Sequence, residues 1–172
     1  MSDLSTFHPN DPGIAERASG AERVCGPDEP GRSAVGRATL HRLPRYDDRR
    51  GTVVVNQAPD QLPFVPTRVF HVFNVPEGEM RGDHAHRRCH QFIVALAGSV
   101  VVVVDDGSAR FSIELDSPDL GLHVPPFIWS IQSDFAVGAQ VLVFASEPYD
   151  RGEYIDDYDE FLELVAEGGG AA

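Results

Sequence analysis

The run Val100 to Val104, followed at once by Asp105-Asp106-Gly107, is the feature that most limits what this chain can fold into. Five consecutive valines are typical of a β-strand that is buried on both faces, because β-branched side chains pack well on a pleated surface. Asp-Gly is among the strongest signals for the tight turn of a β-hairpin. The segment therefore predicts a hairpin in the core of a β-sheet protein.

Two histidines, His84 and His86, precede this hairpin in the segment RGDHAHRRCHQFIVALAGSVVVVVDDG, which runs from Arg81 to Gly107. Residues i and i+2 of a strand lie on the same face, about 6.5–7 Å apart, so we expect both imidazoles to project in one direction. Imidazole has the ordinary pKa closest to neutral pH, which makes it a common catalytic acid or base. The pair is therefore the first candidate site. The alternative is that both rings only satisfy neighbouring carbonyl groups.

Length and composition fit one domain. The chain has 172 residues, 42% of them hydrophobic, which suffices to bury one core. A formal net charge of -13 argues against nucleic acid as a partner, since a phosphate-binding surface needs clustered Lys and Arg. Two cysteines, Cys25 and Cys89, do not make a disulfide framework. Without a signal peptide or an apolar run of membrane-spanning length, the sequence predicts a soluble, cytoplasmic protein with no membrane partner.

The pattern along the chain predicts domain limits and strands. Pro, Gly and acidic residues without apolar periodicity indicate a disordered or loosely attached tail at residues 1–37, and residues 168–172 are a predicted flexible tail. Residues 38–167 form the predicted domain. Alternating or β-branched apolar residues predict its strands: Ala38–Pro44, Thr52–Asn56, Arg68–Val75, Gln91–Leu96, Val100–Val104, Arg110–Leu115, Leu122–Val124 and Gln140–Phe144.

The last predicted element is an acidic helix that begins at Glu153. There the apolar period changes to three and four, along one stripe: Ile155, Tyr158, Phe161, Leu162 and Val165. Short strands, frequent Gly, Pro and Asp turns, and one late helix predict an all-β fold. An antiparallel sandwich or barrel fits this pattern, with a small jelly roll as the natural candidate.

Three arginines, Arg81, Arg87 and Arg88, form a basic cluster in an acidic chain. Guanidinium groups beside an acid–base pair suit an anionic substrate such as a phosphate or diphosphate ester. A solvated turn is the alternative for Arg87 and Arg88. Arg81 directly precedes the histidine segment, which makes it the stronger candidate for substrate binding.

The residues around the histidines resemble the first motif of the cupin superfamily, a small jelly roll with its site inside the barrel: Gly82, His84, His86, Gln91 and Gly98. Metal-binding cupins usually carry Glu at the position of Gln91, and a second motif supplies a histidine where this chain has Ser130. Both changes remove a metal ligand. We therefore expect no metal and no other cofactor, with the histidines acting as acid and base. A metal-dependent cupin isomerase or dioxygenase is the alternative.

Several blocks resemble one family more specifically. The segments RVFHVF, RGDHAH, GLHVPPFIW and EYIDDYDEF follow in order, from about Leu40 to Val165, and are similar to the WxcM-like family of sugar nucleotide 3,4-ketoisomerases. The resemblance implies conversion of a dTDP-4-keto-6-deoxyhexose to its 3-keto isomer, without a metal, in deoxyaminosugar biosynthesis. It also implies a homodimer. A non-catalytic cupin that binds nucleotide sugars is the rival hypothesis.

The resemblance also implies site residues. The catalytic histidines of the family match His84 and His86, and we expect His84 as base and His86 as proton shuttle through an enediol. Family members carry His or Arg where this chain has Ser130, which leaves the C4 configuration of the product open. For two residues the sequence leaves two positions open. Trp129 either packs in the core or lies over a sugar or base. His71 either faces the interior or packs beside Phe73. The positions expected to bind substrate are Arg81, Gln91, Arg50, Arg68, His71, Trp129 and Ser130.

Overall fold

The computed structural model describes residues 20–24 and 31–168. In these ranges the chain forms fourteen β-strands, a short 3-10 helix at Arg151–Glu153, and one α-helix, α1, at Tyr158–Ala166. The strands are β1 (Glu22–Val24), β2 (Gly31–Val35), β3 (Ala38–Arg42), β4 (Arg45–Asp48), β5 (Gly51–Val54), β6 (Arg68–Phe73), β7 (Arg81–His86), β8 (Gln91–Ala97), β9 (Val100–Asp105), β10 (Arg110–Leu115), β11 (Leu120–Val124), β12 (Trp129–Ser133), β13 (Gln140–Ala145) and β14 (Tyr154–Ile155).

Two six-stranded sheets pack face to face around one core. The first sheet has the order β1-β10-β9-β12-β7-β14, and the second has the order β2-β3-β11-β8-β13-β6. Every pairing in them is antiparallel except that of β1 with β10. The predicted all-β jelly roll with a C-terminal helix is confirmed, in the form of a two-sheet sandwich. None of the described residues form a helix with the length and apolarity of a membrane span.

The valine strand β9 is covered on both faces, as its composition predicted. Val100, Val102 and Val104 point between the sheets and join the main core. Val101 and Val103 point the other way, toward a second cluster that contains Phe161 of α1. Helix α1 therefore covers the outer face of the first sheet, and residues on β7 and β12 can be assigned to one face or the other by alternation.

The outer face of the second sheet is covered by the segment 55–66. Leu62, together with Phe64, packs on Phe92 and Val94 of β8 in a third apolar cluster. Hairpin β4–β5 belongs to neither large sheet and forms a two-stranded sheet of its own. Three layers of apolar contact thus hold the sandwich, while the hairpin lies at its surface.

Helix α1 begins five residues later than predicted. The side chain of Asp157 accepts hydrogen bonds from the backbone N–H groups of Asp159 and Glu160, which fixes the start of the helix at Tyr158. Tyr154 and Ile155, which Asp156 separates from this cap, form strand β14 against β7. A strand of two residues is too short to show a period of two. In the sequence, Ile155 therefore fits the apolar stripe of the helix equally well.

Two strands lie in the predicted N-terminal tail, so the prediction that no element forms before residue 38 is wrong. β2 pairs with β3 along its full length, and β1 adds to the edge of the first sheet beside β10. Backbone hydrogen bonds to existing sheets support these strands without an apolar pattern of their own. Residues 1–19 and 25–30, with Cys25 among them, and residues 169–172 of the predicted C-terminal tail lie outside the described residues.

Candidate active site

His84 and His86 lie on the inward face of β7, as their spacing predicted. Ala85 between them joins the cluster under α1, so the two histidines point to the opposite side, into the sandwich. His86 is 6% exposed and His84 is half-buried. Their ring centroids are 4.9 Å apart, with the ring planes at 89°. Two imidazoles are therefore in contact at right angles at the end of the core.

A β-bulge sets the position of this pair. Ser130 of β12 lies opposite His84, and the register shifts between Ser130 and Ile131. Gly82 and Asp83 both have positive φ angles, 84° and 59°, which accommodate the extra residue. A Cβ at Gly82 would lie 2.7 Å from the carbonyl oxygen of Ser130, so this close approach needs glycine.

The same bulge returns Arg81 to the inward face. Arg81 pairs with Gln132 beyond the register shift, and Gln132 shares the inward face of β12 with Ser130. Directly opposed residues of two antiparallel strands share one face. Arg81 is exposed and Ser130 is buried, so these two predicted site residues lie at different depths on the side of the sheet that carries His84.

The tautomer of His84 follows from its hydrogen bond. Nδ1 of His84 lies 3.0 Å from the carbonyl oxygen of Gly82. A carbonyl oxygen only accepts, so Nδ1 carries the proton and Nε2 keeps its lone pair. His84 therefore presents a base at Nε2.

His86 has the complementary tautomer. Its Nε2 lies 3.0 Å from the side-chain nitrogen of Gln91, a buried residue on β8 of the facing sheet. The amide nitrogen donates, so Nε2 of His86 accepts and the proton is on Nδ1. That Nδ1 is buried and has no hydrogen-bond partner among the described residues. His86 therefore presents a proton donor beside the base of His84.

Burial keeps both imidazoles neutral. Desolvation is the main cause that lowers the pKa of His84 below its ordinary value. The same cause, with the nearby charges of His84 and Arg68, lowers the pKa of His86 to about 3. At neutral pH the pair holds one exchangeable proton on each ring, in the orientation that the two hydrogen bonds set.

Tyr154 completes the cluster and was not identified as a site residue from the sequence. It lies opposite His86 in the β14–β7 pairing. Its ring centroid is 4.7 Å from that of His84 and 4.5 Å from that of His86. Arg68 of β6 lies close enough to its side chain to lower the pKa of the tyrosine, against the larger effect of burial, which raises it. The only signal for it in the sequence was its place in the EYIDDYDEF block, where it was assigned to a helix.

Arg68, one of the predicted substrate-binding residues, reaches the cluster from the second sheet. Its Cζ lies 5.3 Å from the ring centroid of Phe70 and 5.7 Å from that of Tyr149. Its Nε is buried without a hydrogen-bond partner among the described residues. Aromatic faces stabilise a guanidinium without neutralising its charge. The site therefore contains a cation beside two neutral histidines.

Comparison with known proteins places this arrangement in a family. The family model FdtA, described as WxcM-like, C-terminal, matches residues 36–166. The chain belongs to this family. The resemblance found in the sequence is thus confirmed over nearly the whole described domain.

Other members of the WxcM-like family show the same fold. A TDP-4-oxo-6-deoxy-alpha-D-glucose-3,4-oxoisomerase of Aneurinibacillus thermoaerophilus is 40% identical over 119 residues, which are 69% of this chain and 86% of that protein. A 3,4-ketoisomerase from Helicobacter canadensis superposes with a TM-score of 0.73 at 32% identity, over 76% of this chain and 98% of that one. A mutant of the 3,4-ketoisomerase QdtA from Thermoanaerobacterium thermosaccharolyticum, in complex with TDP-4-keto-6-deoxyglucose, superposes with a TM-score of 0.75 at 29% identity, over 78% and 97%.

Two residues expected at the site of this WxcM-like protein lie elsewhere. Trp129 is 2% exposed, packs against Tyr158 and Phe161 under α1, and donates from Nε1 to Asp83 at 3.0 Å. It points away from the histidines because it alternates with Ser130, so the core-packing alternative holds and the position over a sugar or base is wrong. His71 is exposed on β6. It lies three residues after the inward-facing Arg68, on the opposite face of the strand, so it does not face the interior.

The other candidate arginines, Arg50, Arg87 and Arg88, form ion pairs with acidic side chains. Arg50 is in the turn of hairpin β4–β5, where its side chain binds Asp48 at 2.5 Å. Arg87 pairs with Glu160 at 2.5 Å, and Arg88 pairs with the buried Glu153 at 2.8 Å. The acidic C-terminal segment thus binds the turn after β7, which favours the structural alternative for Arg87 and Arg88. No group of three or more His, Cys, Asp or Glu side chains in residues 20–24 and 31–168 is arranged to hold a metal ion.

Proposed function

We propose that this protein is a sugar nucleotide 3,4-ketoisomerase that converts a dTDP-4-keto-6-deoxyhexose to its 3-keto isomer, without a metal, in deoxyaminosugar biosynthesis. The activities of its relatives support this substrate class: one is a TDP-4-oxo-6-deoxyglucose 3,4-oxoisomerase and others are 3,4-ketoisomerases. The chain covers most of the length of each of these proteins.

The observation that carries the proposal is the complementary protonation of the two histidines. His84 has a lone pair on Nε2, and His86 has a proton on a buried Nδ1 that no described residue accepts. A 3,4-ketoisomerisation needs both a base for the proton on C3 and a donor for the oxygen on C4. Both histidines supply these functions in their neutral form, which burial favours.

The reaction balances with these two residues. His84 takes the proton from C3 while the C4 carbonyl oxygen takes the proton of His86 Nδ1, which gives the enediol. The C3 hydroxyl then returns a proton to His86, and C4 receives a proton from His84, whose imidazolium exchanges with solvent before the transfer. A 3-ketone and a C4 hydroxyl result, and no oxidant is required. One imidazole acts at carbon and the other at oxygen.

Nearby polar residues fit supporting roles. Gln91 holds the tautomer of His86, because its amide donates to Nε2. The Arg68 guanidinium can stabilise negative charge on the oxygens of the enediol. Arg81, exposed at the start of β7, suits the diphosphate, which a guanidinium binds in bidentate fashion. Ser130 lies beside His84, where the face of C4 protonation is decided.

We also propose that the protein is a homodimer. β6 is the edge strand of the second sheet, and its outward residues Val69 and Phe73 are 50% and 60% exposed. Tyr46 and Val53 of hairpin β4–β5 are 63% and 57% exposed. Exposed apolar edge strands and isolated hairpins are stabilised by a partner. Sedimentation equilibrium tests this proposal by the mass of the particle, and a monomer at micromolar concentration contradicts it.

The cytoplasmic location and the absence of a nucleic acid partner stay predictions.

The activity is tested with dTDP-4-keto-6-deoxyglucose. NMR of the reaction is expected to show a 3-keto product, and His84→Ala is expected to abolish it while dTDP binding is kept. His71→Ala is the matched control, because it removes an exposed imidazole on another strand and is expected to leave turnover unchanged. Binding of dTDP by the wild type without any turnover would contradict the proposal and favour a binding module.

A further inference from the structure

Tyr154 is in contact with both histidines and with Arg68. The three ring centroids of Tyr154, His84 and His86 form a triangle with sides of 4.5, 4.7 and 4.9 Å. We propose that Tyr154 is a positioning residue: its ring fixes the planes of both histidines, and its hydroxyl holds Arg68 beside them. This inference rests on the proposed ketoisomerase function and adds a residue to its site.

The backbone of Tyr154 is held on both sides. Ile155, the next residue, is fully buried under α1, and it lies opposite Ala85 in the pairing with β7. Glu153, the preceding residue, is buried and accepts a hydrogen bond from the backbone N–H of Arg88 at 2.9 Å. Its carbonyl oxygen accepts from the N–H of Arg87 at 2.9 Å. The position of the tyrosine ring is therefore set by the same turn that follows the histidines.

The ring of Tyr154 limits rotation of both imidazoles. Its plane meets that of His84 at 51° and that of His86 at 62°, while the two histidines meet at 89°. Rings that pack with centroids less than 5 Å apart restrict one another's rotation about χ2. The tyrosine therefore keeps Nε2 of His84 and Nδ1 of His86 in separate directions, which the assigned base and donor functions need.

The hydroxyl of Tyr154 acts on Arg68. It lies beside a guanidinium whose other neighbours are the rings of Phe70 and Tyr149. In the part of the chain that the structure describes, Arg68 forms no ion pair with a carboxylate. The cation keeps its full charge for the enediol oxygens, and it is one of the groups that keep His86 neutral, together with burial and His84.

The Tyr154→Phe variant tests this inference, because it keeps the ring and removes the hydroxyl. Tyr158→Phe is the matched control: it deletes a tyrosine–arginine hydrogen bond of 2.7 Å, to Arg110, on the other face of the first sheet. Loss of a polar group beside a charged side chain predicts a fall in kcat of roughly tenfold for Tyr154→Phe with dTDP binding kept. Tyr154→Leu, which also frees both rings, is expected to lower kcat about 100-fold.

NMR titration of the histidine ring signals separates positioning from a merely structural role. With Arg68 released, the pKa of His86 in Tyr154→Phe is expected to rise toward its ordinary value, whereas Tyr158→Phe leaves it unchanged. Wild-type kcat together with an unchanged His86 titration in Tyr154→Phe would overturn the inference, even if Tyr154→Leu failed to fold. An inactive wild type would overturn the proposed function alone, because the titration still reports on Tyr154.

Discussion

Ser130 lies directly opposite His84 across the pairing of β7 with β12. Both side chains face into the sandwich, and Ser130 is 5% exposed. A hydroxyl group is therefore the neighbour of the proposed base at the position where the resemblance implies a basic side chain. A hydroxyl on a short stem does not hold a proton near neutral pH, so it cannot replace an imidazole as an acid.

Ser130→His is predicted to keep dTDP binding and either to raise kcat or to change the C4 configuration of the product. The reason is that a second titratable ring beside His84 offers a new route for the proton that returns to C4. NMR of the product and steady-state kinetics measure both effects. Ser130→Ala, which only removes the hydroxyl, is the control. If Ser130→His leaves rate, product and affinity unchanged, the position is only core packing.

The acid limb of the pH profile is predicted to lie below the ordinary histidine pKa of 6.5. Burial lowers the pKa of His84, so its base form persists to lower pH and protonation abolishes activity only there. His86, with a pKa of about 3, stays neutral across the same range. Measurement of kcat/KM from about pH 4 to about pH 9 checks this, since kcat/KM reports groups of the free enzyme. An acid limb at or above 6.5 contradicts the burial of the pair.

Gly82→Ala is predicted to destabilise the fold by at least about 2 kcal/mol and to lower activity, because it strains the bulge that positions His84. The added Cβ would meet the Ser130 carbonyl oxygen at 2.7 Å in a backbone with φ of 84°. Gly78→Ala is the control: its φ is 79° but no atom lies within 4 Å, so the cost is about 1 kcal/mol from backbone strain alone. Urea unfolding measures both variants, and equal losses would contradict the role of the contact.

Periodicity predicted most of the sandwich and the direction of the histidines. The alternation in β6, the valine run of β9 and the i, i+2 spacing of His84 and His86 depend on strand geometry alone, which a sequence reports directly. The same alternation separates Trp129 from Ser130, since neighbours in a strand face opposite sides. Of the two alternatives for Trp129, core packing is the one the structure shows, and strand β12 decides between them because it places Trp129 and Ser130 on opposite faces.

The parts that the sequence did not predict depend on long-range pairing. Arg81 shares a face with His84 only because a bulge at Gly82 and Asp83 inserts one residue, and no periodicity reports a bulge. Tyr154 reaches the histidines through a two-residue strand whose partner, β7, is far away in the sequence. The two alternatives for His71 stay open in the sequence because the polarity of a single histidine does not tell which face of β6 is buried.

Exchange of solvent deuterium into the sugar tests the central claim, proton transfer at C3 and C4 by the histidine pair, most directly. The protein is incubated with dTDP-4-keto-6-deoxyglucose in D2O, and the sugar carbons are followed by NMR beside a sample without protein. We predict deuterium at C4 of the product and, through the reverse reaction, at C3 of the recovered substrate, with neither in the His84→Ala variant. Tight binding of the nucleotide sugar with no deuterium at either carbon would contradict the account.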